Sequence, residues 1–299
     1  MSAEFIKAYQ DLIDKYRIGH AAAASAVVAN AVSNSNGTAT KKALLIGINY
    51  FGQDGELHGC HNDIANMEVY LRKCGYTEFT ILRDERNNPQ SASAPTRNNI
   101  LAAMKSFIGS AAPGMTLYIH YSGHGSQLWD QNGEEADCKD ECICPVDYSG
   151  GSPDSGFIRD DDMHSILVRG LPEGVKLRVC FDSCHSGSAL DLPFRWVSNT
   201  RMVTENNNVI NKDIIFISGC MDSQTSADSS FNGQSAGAMT WSLLEALYDI
   251  QKSGRHATKW TWKELVQAMR MKLRTGQYDQ IPQLGLSSAL RAGEICDLI

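Results

Sequence analysis

Four stretches of this chain are rich in apolar residues, one of them alternating through Lys176 and Arg178, and then break off at small or polar residues. They are KALLIGINY (Lys42–Tyr50), GMTLYIHYSGHG (Gly114–Gly125), VKLRVCFDSC (Val175–Cys184) and DIIFISGC (Asp213–Cys220). The three runs without such alternation have no face to offer water, so each must be covered on both sides, as a strand inside a parallel sheet is. Between them lie helical patterns. CHNDIANMEVYLRKCGY sets Ile64, Met67, Tyr70 and Leu71 on one side, and TRNNILAAMKSFIGSA, GAMTWSLLEALYDIQ and TWKELVQAMRMKLRT read similarly. RDDDMHSILVRGL holds a shorter helix and EFTILRDE a short strand. Buried strands alternating with amphipathic helices predict an α/β fold, a mostly parallel central sheet with helices on both faces. With 299 residues, 42% of them hydrophobic, the chain can bury one large core.

Residues 1–40 read differently. Phe5, Ile6, Tyr9, Leu12, Ile13 and Tyr16 recur at helical spacing, and SNSNGTAT (Ser33–Thr40) has linker composition. The expected organisation is an N-terminal extension over 1–40 and a globular domain over 41–299. A net charge of −7 disfavours nucleic acid or an anionic membrane as partner and is compatible with cationic substrates. No apolar run approaches the roughly 18–20 residues of a membrane span. Glu4, Asp11 and Asp14 stand where an export signal needs positive charge, so the expected location is intracellular and cytoplasmic. Nine cysteines, an odd number, fit reduced thiols better than a disulfide frame.

Two strand patterns end in reactive residues, YSGHGSQ and FDSCHSG. In parallel sheets, ligands bind where the carboxyl ends of strands open into loops. Cys184 just beyond one strand and His124 between two glycines beyond the other could form a nucleophile and base, with the amides of Gly125 and Cys184 as oxyanion donors. Cys180 and His120 lie inside their strands and read as interior groups. His185 adjoins the cysteine and points away from it. From spacing alone, a dyad and an ordinary pair of turns stay equally open. CKDECIC (Cys138–Cys144) does not have zinc spacing. Carboxylates gather in DGEL, EEADCKDE, RDDDMH and SALDLPF, which suits either a hard cation such as Ca²⁺ or plain solvated loops.

Taken together, KKALLIGINY, LHGCHNDI, HYSGHGSQ, IRDDDMH, FDSCHSGSALDLPF and ISGCMDSQTSAD resemble the metacaspases of the shorter type, from Lys41 to the C-terminus. The resemblance implies a caspase-like α/β sandwich with a large-subunit-like region to about residue 195 and a small-subunit-like region from about 212. It also implies a monomer, and calcium-dependent hydrolysis of protein substrates after Arg or Lys. Cys184 would be the nucleophile and His124 the general acid/base. Asp63 and Asp182 would hold the basic side chain, flanked by Cys60 and Ser122. Asp140, Asp160, Asp161 and Asp191 would bind calcium. Alternatives taken from the residues alone are a helix cap for Asp63 and a loop-fixing hydrogen bond for Asp182. Self-cleavage sites do not transfer by motif; by chemistry the candidates are Lys41, Lys42, Arg195, Arg201 and Lys212. His61, beside Cys60, stands near the expected pocket. A rival expectation is a caspase-like scaffold that binds partners with little or no proteolysis. The intact SGHG and DSCHSG argue against it.

Overall fold

The computed structural model describes residues 40–88, 91–129, 139–148, 156–184, 186–219, 228–231, 234–252 and 260–298. The helical pattern of the N-terminal extension, Cys138 and His185 lie outside the described residues. Four of the long apolar runs become the strands β1 (Lys41–Gly47), β3 (Thr116–Ser122), β7 (Lys176–Asp182) and β10 (Asp213–Ser218). With β2 (Glu78–Arg83) they form a parallel block in the order β2-β1-β3-β7-β10.

Both faces of this block are apolar. Leu44, Ile46, Leu117, Ile119, Leu177, Val179, Ile214 and Phe216 face one core, which helix α2 (Arg97–Gly109) covers with Ile100, Met104 and Phe107. Ala43, Leu45, Tyr118, Cys180, Ile215 and Ile217 face the other. That core is covered by α1 (Cys60–Lys73), α4 (Ala238–Lys252) and α5 (Trp262–Thr275). This is the expected two-sided sandwich, and the strand period of two assigns each residue to its face. Local chemistry sets the helix starts. Thr96 caps α2 by accepting the Asn99 amide, and Thr261 and Glu264 form a reciprocal capping box on α5. RDDDMHSILVRGL holds a single α turn, α3 (Asp160–Met163), which continues as a π-helical stretch over His164–Arg169.

The sheet is wider than the sequence reading supplied. Residues 194–204, where the sequence analysis names no element, contain β8 (Phe194–Trp196) and β9 (Met202–Thr204). Residues 283–286 form β13 (Gln283–Leu286), and these three strands extend the sheet antiparallel in the order β10-β13-β8-β9. Three- and four-residue strands carry too few side chains to show a period, so pairing with neighbours defines them. A small separate sheet, β4 (Gly125–Trp129), β5 (Lys139–Ile143) and β6 (Ile158–Arg159), stands beyond the carboxyl end of β3. A hairpin of β11 (Asp228–Phe231) and β12 (Gln234–Gly237) leads into α4. No disulfide joins any two of the seven described cysteines, and no described helix is long and apolar enough to cross a membrane.

Candidate active site

The register of the two central strands decides whether the cysteine and histidine meet. Ser122 on β3 pairs with Asp182 on β7, and the Gly123 amide still donates to the Asp182 carbonyl (3.3 Å). His124 lies two residues past Ser122 and Cys184 two residues past Asp182, so both emerge at the same level of adjacent parallel strands. Gly125 then packs on the backbone of Cys184, where a Cβ would stand 2.0 Å from the Cys184 carbonyl oxygen. Only glycine fits there. Cys184 and His124 are both half-buried at this strand end, open enough to meet a substrate.

His124 is held from several sides. Its Nε2 lies 2.7 Å from the Gly55 carbonyl oxygen. A carbonyl only accepts, so Nε2 carries the proton and Nδ1 is left as the basic nitrogen. The His124 amide donates to the Tyr50 hydroxyl (2.9 Å), and the Tyr121 hydroxyl donates to the His124 carbonyl (2.7 Å). The imidazole lies against the Tyr50 ring with centroids 4.6 Å apart. His120 and Cys180 prove to be interior groups. His120 is fully buried and meets the Thr240 hydroxyl at 3.2 Å, and burial pushes its pKa down to about 3; Cys180 packs its sulfur on Met239.

Beside the dyad, the floor is acidic and dry. Asp63 and Asp182 are 1% and 3% exposed, with Cys60 and Ser122 buried alongside. The Ser122 hydroxyl donates to Asp63 (2.7 Å), the Gly237 amide reaches both Asp63 oxygens at 3.0 Å, and the Thr240 amide donates to Asp182 (2.8 Å). A Cβ on Gly237 would stand 2.2 Å from Asp182 Oδ2 and 2.9 Å from Asp63 Oδ2, so the two carboxylates converge on one point. Asp63 does not cap its helix: the cap position is Gly59, without a side-chain bond. Asp182 does fix a backbone amide, at the start of α4, while also facing Asp63.

A second acidic cluster lies under the small sheet. One carboxylate oxygen from each of Asp140, Asp160 and Asp161 falls within 4.8 Å of the others. Oxygens bound across a Ca²⁺ ion are about 5 Å apart, so these three fit a hard cation. Burial and the nearby carboxylates of Asp191 and Glu141 push the Asp160 pKa up to about 9, although amide hydrogen bonds from Asp161 and Glu141 oppose the rise. The Arg159 guanidinium pairs with Asp140. Asp191 stands outside the triplet, in a left-handed conformation (φ 47°), close enough to raise Asp160.

Residues 41–193 match the family described as "Metacaspase, peptidase C14 domain". Metacaspase-1 of Meyerozyma guilliermondii is 39% identical over 85% of this chain and 71% of its own length. The chain is a metacaspase.

Metacaspase-1 of Coccidioides immitis is 38% identical over 86% of the chain, which spans 63% of that relative's length. In fold, caspase-1 of Spodoptera frugiperda superposes with a TM-score of 0.51 at 11% identity, over 87% of this chain and 92% of its own. Membership makes the protein a cysteine peptidase of caspase-like fold. Among the self-cleavage candidates, Lys41 and Lys42 begin β1 and pair with Thr116, Leu117 and Glu78, and Arg195 pairs on both sides within β8. Cutting after any of these requires unzipping the sheet. Lys212 donates to the Val168 and Arg169 carbonyls at the end of the π-helical stretch. Arg201 lies in the exposed turn between β8 and β9.

Sequence reasoning missed Tyr50, Gly55, Glu141, Gly237 and Thr240. Glu141 is 2% exposed and takes the Ser188 hydroxyl at 2.6 Å and the Gln127 amide at 3.0 Å, linking the acidic cluster to the loop after Cys184. ECIC carried a hint of Glu141 as one more loop carboxylate. The other four act through backbone groups or ring faces, for which residue type is no guide.

Proposed function

We propose that this metacaspase is a calcium-activated endopeptidase that cuts after Arg or Lys, and that it acts as a monomer. The observation behind the specificity is the convergent pair Asp63 and Asp182, nearly without solvent, beside the nucleophile. Buried carboxylates are costly unless a cation arrives, and a guanidinium can engage both with directed hydrogen bonds. Cys184 gives its proton to His124 and the thiolate adds to the scissile carbonyl, with the amides of Gly125 and Cys184 taking the oxyanion. His124 then protonates the departing amine. Water, activated by the same imidazole, hydrolyses the thioester.

When bound, calcium would supply positive charge at Asp140, Asp160 and Asp161, offsetting the burial and the repulsion from Asp191 and Glu141 that raise Asp160. The Glu141–Ser188 hydrogen bond then carries order from that cluster to the loop after Cys184. The β8–β9 hairpin covers the edge of β13, which supports the monomer. The exposed Arg201 turn is the best placed self-processing site. The decisive experiment is cleavage of an Arg-containing fluorogenic peptide with calcium and with chelator. Cys184→Ala should abolish turnover, and Asp182→Asn should raise KM for Arg peptides. Equal cleavage of Arg and neutral peptides by the wild type would refute the specificity, and equal rates in chelator would refute the calcium dependence.

A further inference from the structure

The loop between β1 and α1 supplies three of the contacts that orient His124, the Gly55 carbonyl, the Tyr50 ring and the Tyr50 hydroxyl. Tyr50 has φ 54°, a left-handed conformation that a bulky aromatic residue adopts only when its surroundings impose it. The imposing group is Asp84, directly beyond β2. Its carboxylate, 4% exposed, accepts the Asn49 amide on Oδ1 (2.9 Å) and the Phe51 amide on Oδ2 (3.2 Å), the two residues flanking Tyr50. One side chain thus clamps the backbone on both sides of the strained residue. Asp84 takes a third bond from α1, where His61 Nε2 lies 2.7 Å from Oδ1.

Other contacts close the bracket. The His61 ring meets Phe51 edge-on with centroids 5.3 Å apart, and the Arg86 guanidinium lies 4.4 Å from the Phe51 ring centre. Arg86 also pairs with Glu56 of the same loop. Burial pushes the Asp84 pKa up, but the bonds from His61, Asn49 and Phe51 outweigh it and hold the carboxyl below its ordinary value. It is therefore an anion at working pH, as an acceptor of three donors must be.

We propose that Asp84 is a positioning residue for the general base: with His61 it holds Tyr50 left-handed under the imidazole, and so aims His124. The proposal rests on His124 as the base but not on calcium or on the Arg/Lys preference. It also gives His61, the second residue of α1, a defined task.

Two readouts on the full chain test it. In Asp84→Asn an amide NH₂ replaces one acceptor, so one flanking N–H loses its partner. With an Arg fluorogenic peptide and calcium, kcat should fall about ten- to a hundredfold, the scale of an ångström of misplacement, while KM holds because the acidic floor is untouched. In the Cys184→Ala background, the His124 Cε1–H signal, identified by its loss in His124→Gln, should move in Asp84→Asn in the same direction as in Tyr50→Leu. A folded Asp84→Asn with kcat within about twofold of wild type overturns the proposal. So does an unmoved His124 signal. If Asp84→Asn does not fold, the partly exposed His61→Leu carries both readouts with smaller changes, and no change in either there also overturns it. Should the wild type cleave nothing, the peptidase mechanism falls and the His124 signal alone decides the positioning role.

Discussion

At the scale of single residues, carboxyl groups stand where water is scarce, and two residues make this measurable. Gly237 lays its amide across Asp63, at a place where a Cβ would stand 2.2 Å from Asp182 Oδ2. Gly237→Ala must lift β12 away from the carboxylates and leave Asp63 short of a donor. KM for an Arg peptide should rise about tenfold, the equivalent of one lost charged hydrogen bond, with a smaller change in kcat; an unchanged KM would remove Gly237 from the pocket. Asp160 makes the second case. Its pKa is raised from 3.8 to about 9 in the folded, metal-free chain, chiefly by burial and by Asp191. The unfolded chain loses this proton above about pH 4 and the folded chain keeps it to about 9, so the group costs stability increasingly as pH rises between them. In chelator, the melting temperature of wild type relative to Asp160→Asn should therefore fall from pH 5 to pH 8. A difference that stays flat or grows would show that Asp160 is ionised without metal.

At the scale of elements, legibility followed the number of side chains reporting on each segment. β1, β3, β7 and β10 announced themselves because runs of five to seven consecutive buried residues leave no other reading. β8, β9 and β13 did not, since their identity lies in the strands they pair with. The dyad was half legible. Types and strand ends were visible, but the equal level of Cys184 and His124 depends on the Ser122–Asp182 register, which only folding sets. Tyr50 and Asp84 were illegible because their role is a backbone conformation and two amides. The link from β5 to the catalytic loop, Glu141 to the Ser188 hydroxyl at 2.6 Å, belongs to this scale too. Ser188→Ala should leave the rate at saturating calcium near wild type but shift half-activation to higher calcium, read from a calcium titration of peptide cleavage. An unshifted titration would mean that the acidic cluster reaches Cys184 by another route.

At the scale of the whole molecule, the catalytic end of the sheet is loop-built and the opposite end is clamped by charge. Arg178, 2% exposed on β7, bonds Asp297 through Nε (2.9 Å) and a terminal nitrogen (2.7 Å), and Asp213 at the start of β10 through the other (2.7 Å). The Tyr70 hydroxyl and the Cys74 thiol bond the Leu298 carbonyl next door. Together they tie the C-terminal segment to the foot of the central strands and to α1. Arg178→Met would keep the volume but remove the buried cation, leaving Asp213 paired with Arg291 (3.0 Å) and Asp297 with Lys176 (3.7 Å) only. Removing one partner of a buried ion pair costs about 3 kcal/mol, or roughly 6–12 °C in melting temperature for a domain of this size. The substitution is six residues from Cys184 along an extended strand, about 20 Å away. Peptide cleavage measured well below the transition should therefore keep its kcat and KM while the melting temperature drops. A large fall in kcat in still-folded Arg178→Met would show instead that the clamp and the catalytic end of the sheet are one cooperative unit.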